Sequence, residues 1–195
     1  MAGSALSTTV DVGEDEGRRA LIVDGVVQSI AADDVKGEMD CWRAQVPDVK
    51  PGRTLILGLG GGTVAHLITR RFGPVLIVGV ERDHAIVEAA RSDLGLDLPN
   101  LTIVVGDAFE FVRAGGEQFD LICVDLYRGG RLERSTLGKP FLRDLRRKLS
   151  PGGTVVFNLF RERRTQQRLA RLGQFFRAVK TVQVGQNVVI HCRAR

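Results

Sequence analysis

Three carboxylates stand directly behind three short apolar runs of this sequence. Glu81 follows VLIVGV, Asp107 follows LTIVVG, and Asp125 follows LICV. Short, nearly continuous apolar runs are typical of buried strands in a parallel sheet, and ligands of such sheets bind outside the carboxyl ends of the strands. Acids at three successive strand ends therefore predict a pocket for a neutral or cationic ligand. For Asp107 the alternative is a helix N-cap.

A glycine-dense turn precedes these acids. The segment LILGLGGGT joins an apolar run to a helix that Thr63 is expected to cap, and its glycines are Gly58, Gly60, Gly61 and Gly62. Glycine lets a backbone turn sharply and approach a ligand closely. Glu81 follows the turn by about 20 residues, a distance at which an acid can accept two hydrogen bonds from ribose hydroxyls. The turn predicts one wall of a nucleoside pocket, with a purely structural turn as the alternative. Since GxxxxGK[ST] is missing, a triphosphate site is not expected.

The elements that position these residues alternate between two periodicities. Apolar runs predict strands at 55–57, 75–80, 101–105, 121–124 and 155–159. Helical patterns lie between them at 64–72, 84–94, 109–113 and 141–149. Strands that alternate with helices indicate an α/β fold in three layers, with a mostly parallel sheet covered on both faces. The ending TVQV-GQN-VVIHC has the signature of a hairpin, so the last strand is predicted to run antiparallel.

Residues 1–50 predict a smaller unit in front of the main sheet. Residues 1–17 are polar and acidic, resemble no secretory signal, and are expected to form a disordered tail. Within residues 18–50, Asp24 and Gly25 separate two apolar runs, which is a strong hairpin signal. A helix is expected over about 33–46, capped by Asp33 or Asp34. Prolines then mark the start of the main domain, residues 51–195.

Composition narrows the cellular setting and the partners. The chain has 195 residues, three cysteines and a net charge of +5. No apolar run is long enough for a membrane span, and the widely separated cysteines are expected to be free thiols in the cytoplasm. No group of His, Cys and Asp has metal-ligand spacing, so no metal is predicted. The positive charge comes from arginine, and such a surface tolerates anionic partners, nucleic acid included; a solvated arginine-rich surface is the alternative.

The basic stretch near the C-terminus also has two interpretations, a solvated surface or a nucleic-acid-binding surface. RERRTQQRLARLGQFFRAV, residues 161–179, is expected to form one amphipathic helix. Its apolar face would carry Leu169, Leu172, Phe176 and Val179, with Arg163 and Arg171 on the opposite face. A sheet-packing helix with a solvated basic face is the favoured interpretation, and an RNA-binding surface is the alternative.

From Leu21 to about Leu159, the sequence resembles the spermidine synthase family and, more broadly, the class I S-adenosylmethionine-dependent methyltransferase fold. LIVDGVVQ resembles the entry hairpin of that family, and DDVKGEM resembles the stretch after it. LGLGGGT stands at the family's GGGDGG loop, while VERD, GDAFEF and VDLY match its next three strand ends in order and spacing. LSPGGTVV matches the turn into its fifth strand. The resemblance implies a Rossmann-like methyltransferase fold for residues 51–195.

The same resemblance implies a pocket for an adenosyl sulfonium ligand: S-adenosylmethionine, its decarboxylated form, or methylthioadenosine. The implied cofactor-binding residues are Gln28, Gly58, Gly60, Gly62, Glu81 at the ribose, Asp107 and Ala108 at the adenine edge, and Asp125 near the sulfonium or amino end. Methyl transfer needs alignment, and a base when the nucleophile carries a proton. Asp125 and Tyr127 are the candidate catalytic residues, and the alternative for Tyr127 is packing at the rim.

Three departures from the family bear on the reaction. Gly37 stands at the tyrosine of the family's Y-x-E-M stretch, Gly61 replaces the aspartate of GGGDGG, and Arg128 replaces the second aspartate of its D-S-x-D pair. An arginine that faces an ammonium group replaces attraction with repulsion. The sequence therefore predicts an S-adenosylmethionine-binding transferase, most simply a methyltransferase that acts on a small molecule. An aminopropyltransferase and a non-catalytic nucleoside- or RNA-binding module are the alternatives, and a homodimer remains an option.

Overall fold

The computed structural model describes residues 9–31, 33, 40–128, 130–163 and 165–195. Its strands are β1 (Val10–Asp15), β2 (Arg18–Val23), β3 (Val26–Ile30), β4 (Arg53–Leu57), β5 (Leu76–Glu81), β6 (Leu101–Val105), β7 (Phe119–Val124), β8 (Tyr127–Arg128), β9 (Arg131–Leu132), β10 (Leu149–Phe160), β11 (Phe176–Val184) and β12 (Asn187–Ala194). Its helices are α1 (Cys41–Gln45), α2 (Thr63–Phe72), α3 (His84–Asp93), α4 (Ala108–Arg113), α5 (Lys139–Lys148) and α6 (Thr165–Leu172). In this part of the chain, no helix is both long and apolar enough to cross a membrane.

A seven-stranded sheet organises the chain, in the order β11-β12-β10-β7-β4-β5-β6. Five neighbouring strands of this sheet run parallel to one another: β10, β7, β4, β5 and β6. β12 runs antiparallel to both β10 and β11. These pairings confirm the α/β fold, its mostly parallel sheet and the antiparallel hairpin that closes the chain.

The sheet is covered on both faces, which makes the fold three-layered. Along β4, Leu55 and Leu57 belong to one buried cluster and Ile56 to another, because successive side chains of a strand point to opposite faces. Leu142 of α5 is fully buried in the first cluster, and Ile68 of α2 in the second. Helices on both sides therefore fix the parallel strands, whose carboxyl ends carry the predicted site residues.

A separate antiparallel sheet of β1, β2 and β3 precedes the main sheet. Asp24 and Gly25 form the turn between β2 and β3 with φ angles of 51° and 75°, which confirms the expected hairpin. The expected disordered tail is wrong at Val10–Asp15, because this segment pairs with β2 along its whole length. Residues 1–8 lie outside the described part of the chain, and the domain division at residue 50 stays a prediction.

The helix starts on either side of β4 differ from the expected ones. The helix expected over 33–46 is described only as α1, where Asp40 is the N-cap and accepts the Arg43 N–H at 2.7 Å. Residues 34–39 lie outside the described residues. Thr63 does not cap α2, since Gly62 is the N-cap residue. The Thr63 hydroxyl instead donates to Ile30 O at 2.7 Å and accepts the Ile30 N–H at 3.1 Å, which ties the glycine turn to β3.

The amphipathic helix expected over 161–179 is confirmed only over Thr165–Leu172, because residues 161–163 are not helical and the prediction is wrong beyond Leu172. α6 ends there, and Phe176 and Val179 lie in β11, which pairs with β12 from Phe176 to Val184. Phe176 packs against Phe157 of β10 with ring centroids 5.8 Å apart. Backbone pairing with the last strand therefore overrides the helical periodicity of the side chains. The described residues do not form the long basic helix face on which the RNA-binding alternative rested.

Candidate functional site

The predicted acids meet at one cleft at the carboxyl ends of the parallel strands. The cleft has a volume of about 1140 Å³ and lies where β4 has β5 on one side and β7 on the other. Strand order reverses at this point, and ligands of open α/β sheets bind there. The predicted residues in its lining are Gln28, Gly58, Gly60, Glu81, Asp107, Ala108, Asp125 and Tyr127. Gly62 is not part of the lining and instead begins α2 as its N-cap, with a φ of 81°.

The backbone of the glycine turn is already hydrogen-bonded within the protein. Each N–H from residue 58 to residue 62 donates to a protein acceptor: Gly58 and Leu59 to Val80 O, Gly60 to Glu81 Oε2, Gly61 to Ser29 Oγ, and Gly62 to Leu59 O. A phosphate-binding turn needs N–H groups that are free to point at the ligand. This turn therefore suits a nucleoside ligand without phosphates.

Glu81 holds both the turn before it and the helix after it. The residue is buried. Its Oε2 accepts the Gly60 N–H at 3.0 Å, and its Oε1 accepts the N–H groups of Arg82 and Asp83 at 2.8 and 3.2 Å. A carboxylate offers about four acceptor positions, so one remains for a ribose hydroxyl, where the sequence led us to expect two bonds.

Asp107 caps the helix that begins beside it. Its Oδ1 accepts the N–H groups of Phe109 and Glu110 at 2.8 and 3.0 Å, so the N-cap alternative is correct for this oxygen. Its Oδ2 makes no hydrogen bond among the described residues, and the half-buried side chain lines the cleft. The cap fixes the orientation of the carboxylate and leaves Oδ2 able to accept an N–H from a ligand.

Two buried amides hold Asp125 in the cleft. Gln45 Nε2 donates to Oδ2 at 2.9 Å, and Asn158 Nδ2 lies 3.1 and 3.0 Å from Oδ1 and Oδ2. Asn158 Oδ1 in turn accepts from Asn187 Nδ2 at 2.9 Å. Burial raises the pKa of Asp125 above its usual value, and the hydrogen bonds from Asn158 and Gln45 act against that shift. The carboxylate is thus held in one orientation from which it can accept a hydrogen bond or a proton.

The Tyr127 hydroxyl is committed to the backbone of β10. It donates to Asn158 O at 3.2 Å and accepts the Phe160 N–H at 2.8 Å. Its ring packs edge-on against Phe160, with centroids 4.8 Å apart. Burial, and after it the charge of Asp125, raises the pKa of Tyr127 above its usual value. Proton transfer by this hydroxyl would disturb both backbone bonds, so the geometry favours a packing role at the rim.

The cleft lining also includes residues that escaped the sequence predictions, among them Gln45, Asn158, Trp42 and Glu133. Asn158 carried a signal, because a polar residue interrupts the apolar run VVFNLF of β10 and is buried there. No local sequence pattern pointed to Gln45. Its contact with Asp125 joins residues 80 positions apart.

The structure describes two of the departures from the spermidine synthase pattern, and Gly37 lies outside the described residues. A Cβ at Gly61 would lie 2.7 Å from both Ser29 Cβ and Leu94 Cδ1, whereas carbon atoms in contact are about 3.5–4.0 Å apart. β3 therefore occupies the space that an aspartate at this position would need. Arg128 is exposed and belongs to the lining, so its charge acts on whatever occupies the cleft.

A family model described as a methyltransferase domain matches residues 55–153, from β4 to the glycines within β10. This span is more than half of the 195 residues. The chain belongs to the methyltransferase domain family. The matched span includes the glycine turn and all three strand-end acids, and Gln28, Gln45 and Asn158 of the cleft lining lie outside it.

The chain is similar in sequence to polyamine-forming enzymes and similar in fold to a spermidine synthase and a methyltransferase. The polyamine aminopropyltransferase of Pectobacterium atrosepticum is 32% identical over 151 residues, which are 71% of this chain and 50% of that protein. The crystal structure of a probable spermidine synthase from Corynebacterium glutamicum has a TM-score of 0.81 at 19% identity and covers 96% of this chain and 77% of its own. Human methyltransferase-like protein 13, crystallised in complex with SAH, has a TM-score of 0.69 at 20% identity, with 80% and 79% covered.

These likenesses agree with the resemblance that the sequence motifs implied. The chain is a spermidine synthase-like protein with the class I methyltransferase fold. The chain spans about half the length of the curated relatives that it matches.

Proposed function

We propose that this protein is an S-adenosylmethionine-binding transferase that moves a methyl group to a small-molecule acceptor. The observation that supports the proposal most is the presence of Glu81, Asp107 and Asp125 in one cleft at the reversal of strand order. The N–H groups of the glycine turn already donate to protein acceptors, which supports a nucleoside ligand without phosphates. Human methyltransferase-like protein 13, which shares the fold, was crystallised with SAH.

Each acid has a role that follows from its remaining acceptor atoms. Glu81 accepts a ribose hydroxyl at its last acceptor position, and Asp107 Oδ2 accepts an N–H from the adenine edge. We assign Asp125 to the positively charged end of the ligand, which a carboxylate stabilises. S-adenosylmethionine supplies a methyl group on a sulfonium, and the protein's own part is to align the acceptor with it. Where the acceptor carries a proton, Asp125 accepts it, helped by its raised pKa.

Acids elsewhere in the lining support aminopropyl transfer as a second candidate. Asp24 and Glu133 line the same cleft as Asp125, and such carboxylates favour a cationic amine as the acceptor. Arg128 opposes them with a positive charge. The donor would then be decarboxylated S-adenosylmethionine, as in the aminopropyltransferases that this chain resembles.

The adenosyl part of the proposal is tested by calorimetric titration of Glu81→Gln. The amide replaces one acceptor oxygen with an NH₂ group that opposes the N–H groups which Glu81 now accepts. We expect the wild type to bind S-adenosylmethionine and methylthioadenosine, and the variant to bind both about tenfold more weakly or worse. The matched control is Glu14→Gln, which changes an exposed acid of β1 outside the lining. The proposal fails if the wild type binds no adenosyl ligand at millimolar concentration.

The reaction itself is decided by two assays on the same preparation. One supplies methyl-labelled S-adenosylmethionine with a small-molecule extract as the source of acceptors, and we expect label in a product. The other supplies decarboxylated S-adenosylmethionine with a series of diamines and polyamines. Aminopropyl products without methyl products would replace the first candidate with the second, and no product in either assay would remove the transferase claim.

A further inference from the structure

Gln45 is a fully buried amide in the wall of the cleft. It is the last residue of α1, its exposed fraction is 0%, and it belongs to the lining. Its Nε2 donates to Asp125 Oδ2 at 2.9 Å. Its Oε1 is buried and has no hydrogen-bond partner among the described residues. Among the described residues, one end of this amide is therefore satisfied and the other end has no partner.

The orientation of the amide is fixed by its neighbour. If the amide were reversed, Oε1 would face the Asp125 carboxylate, and two acceptors would meet without a proton between them. Asn158, the second amide at Asp125, is satisfied at both ends because its Oδ1 accepts from Asn187. A buried acceptor without a partner costs free energy. Of the two amides that hold Asp125, only Gln45 therefore has an oxygen without a partner among the described residues.

The corner formed by Gln45 and Asp125 presents oxygen acceptors: Gln45 Oε1 with Asp125 Oδ1 and Oδ2. A group with several N–H donors can satisfy these atoms together, whereas a carboxylate or a phosphate has no proton to offer them. We propose that Gln45 Oε1 accepts a hydrogen bond from an amino group of the bound ligand and so selects ligands that carry one. This proposal rests on the proposed function, because the ligand is the adenosyl compound or the acceptor beside it.

The amino group can belong to the cofactor or to the acceptor, and binding experiments with three ligands distinguish these two cases. S-adenosylhomocysteine carries an amino group on the chain of the cofactor. Methylthioadenosine shares its adenosine and thioether and has no such group. A diamine such as 1,4-diaminobutane, added after saturation with methylthioadenosine, supplies the amino group from the acceptor side. Trp42 is the only tryptophan and lines the cleft, so its fluorescence reports each binding event.

Two substitutions separate ligand binding from the positioning of Asp125. Gln45→Met removes both ends of the amide at similar length. Gln45→Glu keeps an acceptor oxygen at the position of Oε1 and puts a second oxygen in place of the Nε2 donor, so the two carboxyl groups share one proton where the amide hydrogen bond was. The matched control is Gln183→Met, at an exposed position of β11.

We expect Gln45→Met to weaken the binding of one amino-bearing ligand by about tenfold. The dissociation constant of methylthioadenosine should stay within about twofold of the wild-type value. The control Gln183→Met should leave the dissociation constants of all ligands within the same range. Gln45→Glu is expected to keep the affinity that Gln45→Met loses. A selective loss for S-adenosylhomocysteine assigns the amino group to the cofactor, and a selective loss for the diamine assigns it to the acceptor.

Four outcomes overturn the role of Gln45. Two are an equal loss for all ligands and an equal loss in the Met and Glu variants. The others are a wild type that binds methylthioadenosine but no amino-bearing ligand, and a Gln45→Met variant that binds every ligand as the wild type does. If the wild type does not bind methylthioadenosine or S-adenosylhomocysteine at all, the proposed function itself fails, so the two failures are distinguishable.

Discussion

Gly61→Ala is predicted to destabilise the protein, because β3 packs directly on the glycine turn. The new Cβ would lie 2.7 Å from Leu94 Cδ1 and 2.7 Å from Ser29 Cβ. The leucine methyl is the end of a flexible side chain and can move. The Ser29 Cβ cannot move by the required ~1 Å unless the strand moves with it. That shift would also stretch the 2.7 Å bond from Gly61 N–H to Ser29 Oγ.

The magnitude follows from these two costs. Overpacking of a buried contact costs about 1–3 kcal/mol, and a weakened buried hydrogen bond adds about 1 kcal/mol. A total of about 2–4 kcal/mol lowers the melting temperature of a chain of this size by roughly 4–16 °C. Urea and thermal unfolding, followed by circular dichroism, measure both quantities.

Gly106→Ala is the matched control for this substitution. Gly106 also lies at a strand end in the cleft, but a Cβ there would meet no atom within 4 Å and its φ is not in the left-handed region. We expect its free energy of unfolding to stay within about 0.5 kcal/mol of the wild type. If Gly61→Ala is as stable as Gly106→Ala, the close packing of β3 on the turn is refuted. The argument that this cleft has no room for the family's aspartate would then fall as well.

Three further predictions concern the thiols, Tyr127 and Asn158. Burial raises the pKa of Cys41 and of Cys192 to about 12, and it raises the pKa of Cys123 as well. A chromogenic disulfide reagent at pH 8 should therefore label no thiol quickly before the protein unfolds. Rapid labelling of Cys41 would contradict this. Tyr127→Phe loses two backbone bonds and should lower the free energy of unfolding by about 1–2 kcal/mol in urea. An unchanged stability with turnover reduced more than about 100-fold would instead make Tyr127 catalytic. Asn158→Leu removes a hydrogen bond that lowers the pKa of Asp125, so its destabilisation in urea should be larger at pH 7 than at pH 4, near the usual pKa of about 3.9. The sign follows because a raised native pKa makes the charged carboxylate costly above that value, and an equal loss at both pH values would refute it.

The sequence was sufficient for features that depend on local patterns. The apolar runs predicted the parallel strands, and the Asp24–Gly25 pair predicted a hairpin, because each signal lies within a few residues. The strand-end positions of Glu81 and Asp125 followed from the same runs, and both residues line one cleft. In a parallel sheet the carboxyl ends of the strands lie at one edge, so the positions of the strand ends in the sequence predicted which residues share a cleft.

The remaining features depend on pairings between distant residues. The helical periodicity past Leu172 was misleading, because the last strand offers β11 a full set of backbone partners. Val10–Asp15 is polar in composition and becomes a strand by pairing with β2. The bonds from Gln45 and Asn158 to Asp125 span 80 and 33 positions of sequence. No local pattern encodes these bonds, although Asn158 was visible as a polar residue within an apolar run.

The central claim is that the cleft binds an adenosyl ligand without phosphates. Calorimetric titration of the wild type with methylthioadenosine and with adenosine 5′-monophosphate tests it most directly, because the two ligands share adenosine and differ at the 5′ substituent. Because the N–H groups of the glycine turn are committed to protein acceptors and three acids line the cleft, we expect methylthioadenosine to bind at least about tenfold more tightly. Equal or tighter binding of the monophosphate, or no binding of methylthioadenosine at millimolar concentration, would contradict the account.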